Sequence, residues 1–405
     1  LSFFKIRGSW GRVGNDKLDG QRFPYISLIS EMTGDSGTYS WGQFGSNHVN
    51  GYRMTTVGTP NLTWEVATKW DLGIDWDLFH GLFTGTIDYF HDKRTDIFMK
   101  RNNMPLSTGL ADQTPMANVG AMKSYGVDGN IAFNKRFGEV NLTLRANLTY
   151  QNTEVLDMDE AANELWYRMS RGFRQGQTRG FIALGLFKDQ ADIDQSPSQD
   201  NLANFPILPG DIKYKDVNGD GVITEDDIVP IGYKNTPGIM YGFGLSASWR
   251  GWGLNMLFQG AGKRDFFVGG NGPHAFHDGA TGNILQRMVV EDRWIPAEIS
   301  GTTDTEDPNA LWPRLTYTNN NNNNRQSTFW LKNGRYLRFK NLEITYDLPR
   351  KMLQHIRMQS LRLGFVGENL FTWSPFKWWD PEGNNESGNA YPISRTFSFY
   401  VNFSI

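Results

Sequence analysis

The residues best suited to chemistry lie in one stretch, Asp216-Val217-Asn218-Gly219-Asp220-Gly221-Val222-Ile223-Thr224-Glu225-Asp226-Asp227. Hard Ca²⁺ prefers oxygen ligands, and an EF-hand-type loop of twelve residues supplies them from alternate positions. Asp216, Asn218 and Asp220 take positions 1, 3 and 5, and Gly221 stands at position 6, where the chain must turn sharply. Val222 offers its carbonyl at position 7, Thr224 or a water serves position 9, and Asp227 closes the loop at position 12. The departure is Asp rather than Glu at the close, a shorter arm that predicts monodentate contact and weaker affinity. The competing reading is an Asx-rich turn that holds no ion. The spacing predicts a structural Ca²⁺ in a long surface loop.

Other candidates carry less. His274 and His277 are spaced to share a metal, although two histidines in a Gly-rich stretch are more often simply solvated. Gly34-Asp35-Ser36-Gly37 looks like a serine-protease nucleophile segment, but no His and Asp partners can be assigned to it. Trp373, Trp378 and Trp379, with Phe371 and Phe376, gather around the last long loop. They suit either stacking on a sugar or protein partner or an interfacial aromatic girdle. No nucleophile, base and orienting group assemble from the sequence, which argues against an enzyme.

The elements that position these groups are strands. From Trp64 to Phe90, Val66, Thr68, Trp70, Leu72, Ile74, Trp76 and Leu78 share one parity, and Lys69, Asp71, Gly73, Asp75 and Asp77 share the other. Successive side chains of a strand point to opposite faces, so this segment has an apolar face and a charged one. It turns at Phe79-His80-Gly81-Leu82 and resumes with Phe83, Gly85, Ile87 and Tyr89 opposing Thr84, Thr86 and Asp88. The same alternation marks strands near Phe4–Arg12, Tyr125–Phe133, Val140–Tyr150, Tyr241–Trp249, Leu254–Phe258, Leu342–Leu348, Leu361–Phe365 and Phe397–Ile405. The segments from Arg12 to Thr63, from Asp92 to Tyr125, from Gln151 to Gly238, from Phe258 to Tyr336 (through the run Asn319 to Asn324) and from Trp373 to Asn389 are expected to be connections. About ten strands result, with long and short connections alternating. A transmembrane antiparallel β-barrel places its long loops at one end and its short turns at the other, whereas a soluble sandwich has no reason to do so. The final strand runs toward the short-turn side, which predicts a periplasmic C-terminus.

Composition agrees with that class. The chain has 405 residues, 44 of them glycine, with 14% aromatic residues and a formal charge of −3. Near-balanced charge gives no reason to expect a nucleic-acid partner. The absence of cysteine excludes disulfides and zinc–thiolate sites. No apolar run approaches the roughly twenty residues that a membrane helix requires. A barrel tolerates low hydropathy because only alternate residues meet lipid. The start at Leu1, with alternation already under way at Phe4, reads as a fragment that lacks an upstream portion.

Several stretches then point to a family. They include Lys5-Ile6-Arg7-Gly8-Ser9-Trp10-Gly11, Pro60-Asn61-Leu62-Thr63-Trp64-Glu65, Asn118-Val119-Gly120, and Pro209-Gly210-Asp211-Ile212-Lys213-Tyr214 leading into the calcium loop. Tyr336-Leu337-Arg338-Phe339-Lys340-Asn341, Gly367-Glu368-Asn369-Leu370-Phe371, Asp380-Pro381-Glu382 and Tyr391-Pro392-Ile393-Ser394-Arg395-Thr396-Phe397 continue the match. With these, the chain resembles the C-terminal part of a SusC/RagA-type TonB-dependent transporter of Bacteroidota over nearly its whole length. The resemblance implies the last ten or so strands of a barrel of about 22, with a plug and TonB-box region upstream. It also implies a SusD-like surface lipoprotein partner, coupling to TonB, and import of oligosaccharides or peptides across the outer membrane. A passive porin and a secretion or adhesion channel are the alternatives that the same barrel would serve.

Overall fold

A computed structural model of the protein describes residues 1–17, 23–32, 38–108, 114–162, 165–277, 284–290, 292–353, 358–383 and 385–405. The segment Gly34-Asp35-Ser36-Gly37 lies outside the described residues. The architecture is one antiparallel sheet of ten strands, each hydrogen-bonded to its neighbours in chain order. They are β1 (Phe3–Asn15), β2 (Glu65–Leu78), β3 (Phe83–Lys100), β4 (Met116–Phe137) and β5 (Val140–Asp157). The second half comprises β6 (Ile239–Trp249), β7 (Trp252–Gly262), β8 (Tyr336–Asp347), β9 (Ser360–Trp373) and β10 (Thr396–Ser404).

Register keeps like with like across the ladder. Phe4 faces Trp76, Ile6 faces Ile74 and Trp10 faces Trp70 between β1 and β2. The same apolar row continues through Ile74 and Ile87, Phe83 and Phe133, and Phe133 and Leu144. Beyond β5 it runs through Phe243 with Phe258, Ile344 with Phe365, and Phe365 with Phe399. A one-residue slip would carry every one of these side chains to the polar face, so the pattern fixes the pairing. Many of them are well exposed: Ile6 at 66%, Trp10 at 70% and Phe399 at 81%. An apolar belt of this extent is covered by lipid, not by protein.

The turns follow the alternation. Trp249 and Trp252 close a hairpin through Arg250 and Gly251, both at positive φ, the geometry that matches the twist of paired strands. Phe79, His80 and Gly81, also at positive φ, turn β2 into β3. Long connections leave the opposite end. Two expectations are corrected here. β3 runs on to Lys100 and β4 begins at Met116, so much of the segment assigned as a loop after Asp92 is strand. Alternation is lost over Lys93-Arg94-Thr95-Asp96, where the ladder passes irregularities between Arg94 and Phe98. The connection from β1 to β2 is not plain coil either. It carries a small three-stranded sheet formed by Leu28–Met32, Asn47–Thr56 and Thr38–Trp41.

The protein core lies almost wholly outside the main sheet. Phe181, Leu186, Ile212, Tyr214, Ile223, Met288, Trp294, Trp312 and Trp330 form one buried cluster. It is assembled from the β5–β6 and β7–β8 connections, and Trp378 of the β9–β10 connection packs against it. These three connections therefore make a folded layer at the long-loop end of the wall.

Candidate functional site in the loop layer

The segment 216–227 folds as a closed acidic loop. Asp216 accepts the N–H groups of Gly219 (2.6 Å) and Gly221 (2.9 Å), and Asp220 accepts that of Val222 (2.9 Å). Asn218 donates its side-chain amide to Asp220 and accepts the N–H of Asp220. Gly221 has a φ of +82°, a conformation that other residues adopt only with strain. Asp227 is fully buried, and its carboxylate accepts N–H groups from Val217 (2.7 Å) and Thr224 (2.9 Å). Thr224 in turn caps the short helix Glu225–Asp227 by accepting the N–H of Asp226 (3.2 Å). The backbone is pinned to its surroundings through Ser198, which bonds the 221 carbonyl and the 223 N–H.

The donor chemistry suits a hard cation, because each carboxylate oxygen has a second lone pair and the glycine bend is present. Among the described residues, however, no three His, Cys, Asp or Glu side chains converge as a metal cluster. The side chains are satisfied by main-chain N–H groups of their own loop.

Immediately before this loop, the motif 209–214 anchors a buried polar network. Asp211 accepts from Asn323 (2.7 Å), Asn320 (3.3 Å), Arg314 (2.9 Å) and the N–H of Leu208 (2.9 Å). Asn323 accepts the Ile212 N–H, and Asn322 donates to the Ile212 carbonyl. Gln199 joins them by donating to Ile212 and Asn322 and accepting from Tyr214. The Trp330 indole and the Tyr214 hydroxyl donate to the carbonyls of Asn323 and Asn322, both at 2.6 Å. Burial keeps the Tyr214 phenol neutral, well above its ordinary range. In the sequence the asparagine run looks like part of a connection, with no local sign of this role. The available signal was Pro209–Tyr214, which was tied to the run only through space.

A second bond network ties wall to layer. Arg338 of β8, 1% exposed, donates to Asp380 at 2.6 Å and lies 3.3 Å from Glu382. Arg264 donates to the carbonyls of Pro381 and Asn235 and to the Asn235 side chain. Two separate motifs of the sequence, Tyr336–Asn341 and Asp380–Glu382, are thus the two halves of one clamp. Asp265 accepts the N–H of Tyr233 (2.7 Å), while burial holds its carboxyl above the usual range.

The remaining candidates fall differently from expectation. His274 is buried, not solvated, and packs edge-on against Trp330 with ring centroids 4.7 Å apart. Burial and the neighbouring His277 push its pKa down to about 3, so it is neutral at physiological pH. The His274 and His277 rings lie stacked with centroids 6.0 Å apart. Trp378 stacks on Trp312 (5.1 Å) and Trp379 packs against Phe376 (4.9 Å), both half-buried within the layer. Trp373 ends β9, is 51% exposed, and leans toward Phe371. The structure therefore does not bring the three tryptophans together on one stacking surface.

Beneath the layer, the face opposite the apolar belt is polar and cross-linked between strands. Arg7 bonds Asp75 (2.8 Å) and Asp88 (3.0 Å), and Asn130 donates to Thr86 (2.8 Å). Glu343 accepts from Asn255 (3.1 Å) and Tyr400 (2.8 Å).

A sheet with one lipid-covered face, one polar face, tight turns at one end and a folded loop layer at the other is the wall of an outer-membrane β-barrel. The chain belongs to the TonB dependent receptor-like, beta-barrel family, whose model matches residues 2–370. It is 26% identical to a TonB-dependent receptor of Formosa agariphila, over 98% of this chain and 39% of the relative. It is 23% identical to the TonB-dependent receptor SusC of Bacteroides thetaiotaomicron, over 98% of this chain and 37% of that protein. The structure of the RagAB peptide transporter matches the fold with a TM-score of 0.68 at 20% identity, covering 99% of this chain and 41% of that one. The chain thus spans about two-fifths of the length of the curated relatives it matches. These relatives are receptors and transporters, not enzymes.

Proposed function

We propose that this chain is the C-terminal part of the barrel of a TonB-dependent importer that carries oligosaccharides or peptides across the outer membrane. In this reading a SusD-like lipoprotein sits on the loop layer, TonB supplies the energy through an upstream plug region, and the short-turn side, where β10 ends, faces the periplasm. The observation that carries it is the loop layer itself. A passive pore needs only flexible loops, whereas this layer has its own buried core and hydrogen-bonded network, a rigid platform suited to docking a partner. The edges fit as well: among the described residues β1 pairs only with β2 and β10 only with β9, leaving both to strands from the rest of the protein. The relatives SusC and RagAB support the class, and RagAB, a peptide transporter, keeps peptides among the candidate substrates.

The test is uptake of labelled oligopeptides and oligosaccharides by cells carrying the full-length protein, before and after collapse of the proton-motive force. Import predicts that uptake stops on collapse and that a lipoprotein co-purifies with the barrel. Uptake that continues at the same rate after collapse would establish a passive channel instead.

We further propose that the loop 216–227 holds one structural Ca²⁺, with oxygens from Asp216, Asn218, Asp220, Val222, Thr224 and Asp227. The Kd is expected near that of extracellular modules, about 10⁻⁴–10⁻³ M. Elemental analysis of the intact barrel, equilibrated with millimolar calcium, should find one calcium per chain, lost in an Asp216→Ala, Asp220→Ala double variant. Calcium-free wild type would overturn the assignment and leave the turn held by its own N–H groups.

A further inference from the structure

A strip along the outer face of β4 to β7 carries two features that no transport role requires. At its upper end, just beyond the belt, Arg174, Lys234 and Lys263 line one depression with Asn152. The Lys263 ammonium lies 4.4 Å from the centroid of the Tyr150 ring, and the Arg174 guanidinium 4.7 Å from that of Tyr233. Among the described residues none of the three cations forms an ion pair. The nearby carboxylate, Glu154, is engaged by Lys123 at 2.9 Å. Tyr150 belongs to the outward row, pairing with Val127 on one side and Ile239 on the other.

Below Tyr150 on the same strand come Leu148, Ala146 and Leu144. Ala146 is the small residue of that row and faces Ile131 and Phe243 across the ladder. It floors an apolar groove of about 450 Å³ whose walls include Phe133, Leu144, Phe243 and Phe258. At about 3.4 Å per residue, Ala146 lies roughly 14 Å below Tyr150. That spacing fits an acyl chain beneath a headgroup. Tyrosines at this level mark the interface between hydrocarbon and water, where cations meet lipid headgroups.

We propose that this strip seats one lipid of the surrounding leaflet, with a phosphorylated headgroup on Arg174, Lys234 and Lys263 and an acyl chain in the Ala146 groove. Charge points to the ligand: three cations that pair with no acid among the described residues suit an anion. The groove at their foot suits an anion that carries a hydrocarbon chain. The inference rests on membrane placement alone and does not depend on what the protein imports.

The test uses the full-length barrel in neutral detergent, with binding read by native mass spectrometry. The probes are a diphosphorylated glucosamine disaccharide lipid, the same lipid with its phosphates removed, and inorganic phosphate. Folding of every variant is checked by heat-modifiable electrophoretic mobility. Wild type should prefer the phosphorylated lipid, and each cation changed (Arg174→Gln, Lys234→Gln, Lys263→Gln) should weaken it about fivefold. Ala146→Phe should weaken both lipids alike, and Lys135→Gln at the short-turn end should change neither. Lys234→Gln alone serves if either of the other single variants fails to fold. An undiminished preference in the cation variants would overturn the headgroup assignment. Full competition by millimolar inorganic phosphate, with no effect of Ala146→Phe, would show a free-anion site and overturn the lipid.

Discussion

The wall and the loop layer solve the burial of apolar surface in opposite ways. In the wall, Phe4, Ile6, Trp10, Leu72, Phe399 and Phe403 remain exposed on the protein, and the surrounding membrane removes them from water. In the layer, Trp312, Ile212, Ile223 and Phe187 are at most 1% exposed, covered by other parts of the same chain. The wall satisfies its backbone through a regular ladder. The layer does so with side chains drawn from distant segments, as in Asn323 to Asp211, 112 residues apart. A wall residue therefore answers to its local pattern, and a layer residue to its partner.

The sharpest test of this difference is Asp211→Ala. It removes the acceptor of Asn320, Asn323, Arg314 and the Leu208 N–H at once, leaving Arg314 largely buried without its counter-charge. Breaking such a pair from one side costs about 3–5 kcal/mol. Hydrogen exchange should accelerate across 199–214 and 319–330 while the strands of the wall keep their protection. If wall and layer lose protection together, they form one cooperative unit and the comparison fails.

The converse change is Leu144→Arg, on the lipid face of β5. An arginine at the bilayer midplane costs about 2–4 kcal/mol, whereas the same residue at the neighbouring lumen position, Thr143→Arg, is expected to be nearly neutral. Folding titrations of the two variants into lipid vesicles should separate them by that amount. Equal costs would mean that the assignment of faces is wrong.

That assignment was legible because a strand's two-residue period survives in the sequence whatever lies far away. The ten strands, the hairpins at Phe79 and Arg250, and the alternation of long and short connections all follow from it. Where the period is lost, reading failed, as at the upper ends of β3 and β4, whose extension above the belt leaves no apolar face to keep. The layer was largely illegible for a deeper reason. Nothing local in Asn320, Asn322 and Asn323 distinguishes a buried hydrogen-bonding hub from a solvated turn, because the difference is made by Asp211 and Gln199. The acidic loop was legible as a loop, with its bend at Gly221, but its spacing alone does not choose between a cation and the N–H groups that its carboxylates accept.

His274 gives the layer a pH dependence. Its pKa is about 3 when folded against 6.5 when free, so the unfolded layer binds the proton more readily. The contribution is fully present above pH 6.5 and shrinks as pH falls toward 3, by about 2 kcal/mol at pH 5. Proteolytic resistance of the loops should fall over this window, and His274→Gln should flatten the fall. An unchanged slope in that variant would assign the dependence to other groups.

The smallest effect comes from repeating the chemistry of Asp211 and Arg314 in a wetter place. Arg101, just beyond β3, lies 2.6 Å from Asp159, just beyond β5, as close as the buried pair is at 2.8 Å. The Arg101 side chain is 37% exposed against 14% for Arg314, and Asp159 is 13% exposed against 1% for Asp211. Arg101 and the N–H groups of Asn102 and Asn103 hold the Asp159 carboxyl below its usual range. Its share of stability is therefore present above the ordinary carboxylate pKa and lost as pH falls below it. Water screens the exposed pair and resolvates Asp159 when its partner is removed, so Arg101→Leu should cost only about 0.2–1 kcal/mol. Residue types are the same in both pairs and the distances differ little, but the more buried acid also holds Asn320, Asn323 and the Leu208 N–H, so its removal is expected to cost more. A penalty for Arg101→Leu as large as that of Asp211→Ala would show that the rim of the wall is as closed to water as the layer above it.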